Sequence, residues 1–158
     1  QRLGSVRAGV AQKHPDIKAA IVGTGELETE TKQAIIDCCA ETFIDMLGYN
    51  SNPYKIMKQA KILIMTSRWE GLPMCALEAM ALGVPIVSTP TDGLKEIVED
   101  DKTGYLSDDD EILINRCYDI LHEPERYQRL SRATLAKAKV LLNVAAYKEE
   151  LEKVYSSI

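Results

Sequence analysis

The segment SRWEGLPMCALEAMALGVPIVST, residues 67–89, joins the end of one apolar run to a helical pattern and then to a second apolar run. Pro73 stands at the predicted start of the helix and Gly83 just past its end, the positions that these residue types favour. A strand, a helix and a second strand in this order are typical of α/β folds. The helical part carries one charged side chain, Glu78, although it otherwise has the composition of a protein interior.

The same alternation runs along the rest of the chain. Short apolar runs predict strands at residues 17–23, 42–48, 61–67, 84–89 and 103–107. Helical spacing predicts helices at residues 1–14, 26–41, 52–60, 73–83, 93–100 and 108–122, and a helical tail over 124–158 with a break near Asn143. Strands that alternate with helices predict an α/β fold with a doubly wound, Rossmann-like parallel sheet and helices on both faces.

The start of the chain departs from that pattern, because a helical segment comes first where a fold of this kind begins with a strand. Either the first strand of the sheet lies outside this sequence, or the sheet begins at Ile17. We favour the first alternative, in which residues 1–158 form a single domain that lacks its first strand. Ligands of such folds bind at the carboxyl ends of the strands.

The composition argues against several classes of protein. The net charge is −5 and no block of Lys and Arg occurs, which speaks against nucleic acid as a partner. Glu78, Pro73 and Pro85 interrupt the most apolar run, so no transmembrane segment is predicted. The four cysteines lack the spacing of a zinc site, and we expect reduced core thiols and no metal in a cytoplasmic protein.

Two features of the central segment point to a ligand. Gly71 precedes the N-terminus of the helix that begins at Pro73, and the free N–H groups of such a terminus bind anions. At about 100° per residue, Glu78 lies between Met74 and Leu82 on the helix, so its carboxylate needs a polar partner. The structural alternatives are a salt bridge to Lys or Arg, or a helix face that is more exposed than the pattern suggests. The functional alternative is a ligand that brings hydroxyl groups.

A carboxylate presents two acceptor oxygens to a vicinal diol such as that of ribose. Glu70 is a second acceptor at the same predicted end of the sheet. Acceptors on both sides of an anion-binding helix terminus fit a ligand with hydroxyls at both ends and phosphate in the middle. That description fits a nucleotide-sugar.

The segment 67–106, which continues as PTDGLKEIVEDDKTGYL, strongly resembles the C-terminal, donor-binding domain of retaining glycosyltransferases of the B-type fold, known as family 4 or group 1. The spacing Glu70-x7-Glu78 is a hallmark of that family. The segments IVGTGEL and LGYNSNPYKIMKQAKILIMTS resemble further parts of it. The resemblance covers most of residues 1–121.

The resemblance implies roles for individual residues. Glu78 would bind the ribose hydroxyls of the donor. Glu70 would lie against the donor sugar and would be the candidate catalytic residue, positioning the anomeric carbon. The other implied donor-binding residues are Gly71, Leu72, Pro73 and Met74 beside the sugar and diphosphate, Tyr49 near the base, and Thr24 and Gly25 in the wall of the cleft.

The implied parent protein is a hexosyltransferase that moves a sugar from a nucleotide-sugar, expected to be UDP-linked, to an acceptor hydroxyl without metal or cofactor. In the family, an N-terminal domain binds the acceptor, and an Arg and a Lys neutralise the diphosphate. This sequence begins too late to contain them, so we expect residues 1–158 to be inactive alone. The parent is expected in the cytoplasm, with attachment to the inner membrane surface left open.

Two other functions stay open. One is a non-catalytic, flavodoxin-like binding module in which Glu78 forms a structural salt bridge. The other is a nucleotide-sugar epimerase of the same fold.

Overall fold

The computed structural model describes residues 17–156, and the predicted alternation of strands and helices is confirmed there. The elements are β1 (Ala19–Val22), α1 (Glu28–Asp37), β2 (Ile44–Gly48), α2 (Tyr54–Met57), β3 (Leu63–Met65), α3 (Met74–Ala81), β4 (Ile86–Ser88), α4 (Asp92–Ile97), β5 (Gly104–Leu106), α5 (Asp110–His122), α6 (Pro124–Leu141) and α7 (Val144–Ser156). The helix predicted at residues 1–14 lies outside the described residues. The break in the tail falls at Leu142 and Asn143, as predicted.

The strands of the described residues are all parallel and form two sheets. β1 pairs with β2, with Ala19 beside Ile44, and β4 lies between β3 and β5, with Ile86 beside Leu63 and Gly104. No ladder within residues 17–156 joins the pair to the triplet. In the usual doubly wound order the first strand is central, with two strands on one side and three on the other. The pair and the triplet match those two sides, and a strand between them stays a prediction.

β4 is the centre of the triplet and is buried on both faces. On one face Ile86 packs with Met80 of α3 and Leu94 of α4, and on the other face Val87 packs with Leu113 of α5. A strand that is apolar without interruption is typical of a parallel sheet covered by helices on both sides. The buried face of α3, which fixes how this helix lies on the sheet, consists of Ala76, Leu77, Ala79 and Met80.

α6 is fastened to the segment that leads into β5. The hydroxyl of Thr134, fully buried, donates a hydrogen bond to the carbonyl of Thr103 at 3.0 Å. Lys137 Nζ lies 2.6 Å from Glu99 Oε1. Hydrogen bonds from Lys137 and then Lys102 hold the pKa of the Glu99 carboxyl below its usual value. The first part of the helical tail is therefore bound to the domain by polar contacts as well as apolar ones.

The cysteines are only partly in the core. All four are free, and burial is confirmed for Cys117 alone. Cys38 is half-buried, whereas Cys39 and Cys75 are exposed. The expectation of four core thiols is therefore wrong, because Cys75 lies on the outer side of α3 and Cys39 in the turn after α1. No helix within residues 17–156 has both the length and the apolar character needed to cross a membrane.

We expect Thr134→Val to lower the free energy of unfolding by about 1–3 kcal/mol, because the carbonyl of Thr103 loses its donor inside the core. Urea denaturation measures the change. Thr31→Val is the matched control, since the hydroxyl of Thr31 donates to the carbonyl of Leu27 at 2.7 Å in an exposed position where water can replace it. Equal losses in the two variants would contradict a specific role for the buried bond.

Candidate functional site

The N-terminus of α3 is built from backbone groups. The β3–α3 loop, residues 66–73, ends at Pro73, which takes the N-cap position with an extended backbone (ψ 115°) and no side-chain cap. The carbonyl of Pro73 accepts the N–H of Ala76 at 3.0 Å. The N–H groups of Met74 and Cys75 have no acceptor within the helix, as is general for the first helical residues. These groups lie at the helix terminus where the sequence predicts that an anion binds, and that binding stays a prediction.

Glu78 lies half-buried on α3, and its Oε1 accepts a hydrogen bond from the hydroxyl of Tyr54 at 3.1 Å. This bond, followed by the charge of Glu78, raises the pKa of Tyr54. Met74, one turn earlier, is 62% exposed. The apolar surroundings predicted for Glu78 are therefore wrong, and the alternative of a more exposed helix face is correct on this side. No Lys or Arg of the described residues forms an ion pair with Glu78.

Glu70 is the second carboxylate and lies half-buried in the β3–α3 loop. Its Oε1 accepts a hydrogen bond from Ser67 Oγ at 2.7 Å, and the hydroxyl of Thr89 donates to the carbonyl of Ser67 at 2.6 Å. The thiol of Cys75 lies within electrostatic range of both acids, since burial and then the charges of Glu70 and Glu78 raise its pKa. The structure thus places Glu70 in the loop before α3 and Glu78 in the second turn of the helix, with Cys75 within electrostatic range of both.

Gly93, in the first turn of α4, packs directly against the backbone of the β3–α3 loop. A Cβ placed on Gly93 would lie 1.2 Å from the carbonyl oxygen of Gly71 and 3.2 Å from Cα of Leu72. The two backbones touch, and only glycine leaves room for that contact. By contrast, a Cβ on Gly71 would meet nothing within 4 Å, so the other side of the loop is open to a ligand.

The remaining predicted residues follow the carboxyl ends of strands or belong to the loop itself. Thr24 and Gly25 come after β1, and Tyr49, with its side chain 77% exposed, comes directly after β2. In the β3–α3 loop Leu72 is exposed and Pro73 is buried. Within residues 17–156 no hydrogen bond links Thr24, Gly25 or Tyr49 to either carboxylate. Their contacts with a ligand stay predictions.

An open cleft of about 580 Å³ lies between residues 68–71 and residues 90–92. Trp69 in its wall is 85% exposed. Thr91 is only 7% exposed, and its hydroxyl has no hydrogen-bond partner among the described residues. The cleft shares residues 70 and 71 with the helix terminus. No cluster of three metal-ligating side chains occurs within residues 17–156.

Several residues of the site were not predicted from the sequence. Tyr54 and Ser67 are ordinary polar residues until the fold places them beside Glu78 and Glu70. Gly93 has no turn pattern that reveals the close approach of Gly71.

The fold and the paired carboxylates define an α/β domain of the Rossmann-like class with a polar site at its strand ends. The chain matches the family model of the glycosyl transferases group 1 over residues 5–137, and it belongs to that family. This membership favours the predicted transferase over the flavodoxin-like module and the epimerase.

Curated relatives are longer than this chain. The chain is 35% identical over 80 residues to an uncharacterised glycosyltransferase of Methanocaldococcus jannaschii, a match that covers 51% of this chain and 20% of that protein. It is 25% identical over 159 residues to the putative glycosyltransferase EpsD of Bacillus subtilis, covering 99% of this chain and 42% of that protein. The chain therefore spans less than half the length of these relatives.

Solved structures share the fold. TarM, a Staphylococcus aureus protein, is similar with a TM-score of 0.88 at 22% identity, over 98% of this chain and 31% of that one. HepE of Anabaena, solved in complex with UDP and glucose, is similar with a TM-score of 0.86 at 22% identity, over 97% of this chain and 44% of that one. At these identities the similarity establishes the fold alone.

We expect Gly93→Ala to destabilise the protein by about 1–3 kcal/mol, because the added methyl group forces α4 and the β3–α3 loop apart. Gly25→Ala is the matched control, since a Cβ there meets nothing within 4 Å and the backbone φ is not positive. Urea denaturation compares the two variants. If Gly93→Ala lowers the free energy of unfolding no more than Gly25→Ala does, the backbone at Gly71 can move away without destabilising the protein.

Proposed function

We propose that this chain is the donor-binding part of a retaining glycosyltransferase, a hexosyltransferase that moves a sugar from a nucleotide-sugar to an acceptor hydroxyl. The observation that carries the proposal is the pair of carboxylates in α3 and in the loop before it, Glu78 and Glu70, in a chain of the group 1 family. A UDP-linked donor is favoured, and the similar HepE structures contain UDP, UDP with glucose, or UDP-glucose.

Glu78 would bind the ribose of the donor. One of its oxygens is already oriented by the hydroxyl of Tyr54, which leaves the other oxygen for a ligand. A carboxylate held in one orientation by a neighbour loses less side-chain freedom when the ligand binds. Tyr54 is then a positioning residue for the ribose contact, and Tyr49, exposed after β2, would lie nearer to the base.

The diphosphate would lie against the N-terminus of α3. Backbone groups of residues 71–74 and the positive end of the helix would stabilise the negative charge that develops on the leaving nucleotide. A helix terminus supplies only about half an elementary charge. The Arg and Lys that the family resemblance implies would supply the rest, and no metal is needed in that scheme.

Glu70 would bind hydroxyls of the transferred sugar. Its hydrogen bond from Ser67 orients the carboxylate, and its negative charge can stabilise positive charge at the anomeric carbon as the bond to the diphosphate breaks. In this role Glu70 would be the candidate catalytic residue, because it would position the anomeric carbon. Thr24 and Gly25 would form part of the wall of the same cleft.

The acceptor-binding N-terminal domain would be the main partner of residues 1–158 within a longer protein. The chain spans only 42% of EpsD and 44% of HepE, which supports a two-part enzyme. We accordingly propose that residues 1–158 alone do not transfer sugar and that the activity resides in the longer protein.

In the full-length protein, Glu78→Gln is expected to raise the donor KM about 10- to 100-fold, because a charge-assisted bond to the ribose diol is lost. Steady-state kinetics with UDP-glucose, UDP-galactose and UDP-N-acetylglucosamine measure the change. Glu96→Gln, on the exposed side of α4, is the control and should leave KM unchanged. An unchanged KM for Glu78→Gln would remove this carboxylate from the donor site.

A further inference from the structure

The cleft between residues 68–71 and 90–92 includes Glu70 in its wall. Neither Glu78 nor Tyr54 lines it. Tyr54 belongs to the segment after β2, whereas residues 90–92 follow β4, the strand that pairs with β3. With the ribose at Glu78 and the transferred sugar at Glu70, a ligand in the cleft would share Glu70 with that sugar and lie next to it, where the group that receives the sugar binds.

Trp69 gives the cleft an apolar wall that nothing in the described residues covers. Its side chain is 85% exposed, although an indole of this size is usually largely buried. A large flat ring with one polar atom is suited to contacts in which one side is apolar and the rim is wet. A pyranose ring has this complementary form, because one face presents C–H groups and the rim presents hydroxyls.

Thr91 adds a polar group that has no partner. The residue is 7% exposed and occupies the N-cap position of α4, yet its hydroxyl neither caps the helix nor bonds to another described residue. Buried hydroxyls are nearly always hydrogen-bonded, so the exception needs an explanation. Thr91 lines the cleft, and a change of its side-chain rotamer would let a ligand hydroxyl there become the missing partner.

The charges of the cleft favour an uncharged ligand. Its wall contains two carboxylates, Glu70 and Asp92, and one guanidinium, Arg68, which has no ion pair within the described residues. Asp92 is bound to Lys95 at 3.3 Å and is otherwise open to solvent. An anion would meet both carboxylates, whereas neutral hydroxyls can donate to them and accept from Arg68.

We infer that this cleft is an acceptor subsite, which holds a pyranose ring of the acceptor against Trp69 while Thr91 and Asp92 bind its hydroxyls. The inference rests on the proposed glycosyl transfer. It assigns part of acceptor recognition to the donor-binding half, where the family resemblance assigns it to the other domain.

The test uses the full-length protein with UDP-glucose, UDP-galactose and UDP-N-acetylglucosamine as donors. Methyl glycosides of glucose, galactose and N-acetylglucosamine serve as acceptors. The donor KM is measured from donor hydrolysis without acceptor, and the acceptor KM from transfer with the most active pair of donor and acceptor.

We expect Trp69→Ala to raise the acceptor KM about tenfold more than the donor KM, and Trp69→Phe to restore most of the acceptor affinity. Thr91→Val should raise the acceptor KM alone. Tyr147→Ala, which removes an exposed aromatic on α7, is the control and should change neither constant.

Three results would overturn the inference. A rise in the donor KM without a rise in the acceptor KM would place the transferred sugar in the cleft. If the donor KM and the acceptor KM are unchanged in both Trp69 variants, the indole takes no part in binding either substrate. Donor hydrolysis without transfer to any glycoside would contradict a pyranose subsite while keeping the proposed function, whereas no turnover of any donor would contradict the proposed function itself.

Discussion

The contact between the backbones of Gly71 and Gly93 determines where the site lies. It seats the β3–α3 loop on the first turn of α4, with no side chain between them. The hydrogen bond from Thr89 to the carbonyl of Ser67 fixes the start of the same loop to the end of β4. Trp69 and Glu70 stand between these two attachments, so backbone packing sets where they lie, and the hydrogen bond from Ser67 then orients the carboxylate of Glu70.

The electrostatics of the site are unusual for a place that would accept a diphosphate. Glu70 precedes α3 and Glu78 lies in its second turn, and each carboxylate accepts a hydrogen bond from a hydroxyl of the protein, Tyr54 for Glu78 and Ser67 for Glu70. Both acids suit sugar hydroxyls, and both repel phosphate. A diphosphate there would therefore need nearby cations, and Arg68 of the same loop is one that forms no ion pair within the described residues.

The sequence predicts the fold well because each strand is a short apolar run and each helix has apolar residues at helical spacing. It also singles out Glu78, which stands alone in an apolar segment, and Glu70 before it, and their role in a ligand site stays a prediction. It does not predict their partners, because Tyr54 is brought to Glu78 from 24 residues away by the packing of separate elements. It also misjudges the face of α3 that carries Met74, where an apolar side chain is left exposed by the shape of the surrounding loops.

The position of Cys75 has a chemical consequence for the cell that makes this protein. The thiol is accessible at the mouth of the site, yet burial and the neighbouring acids raise its pKa, so it keeps its proton at neutral pH. Peroxides and alkylating compounds attack the thiolate form. The Cys75 thiol is therefore expected to react more slowly with such compounds than an exposed thiol without these acidic neighbours.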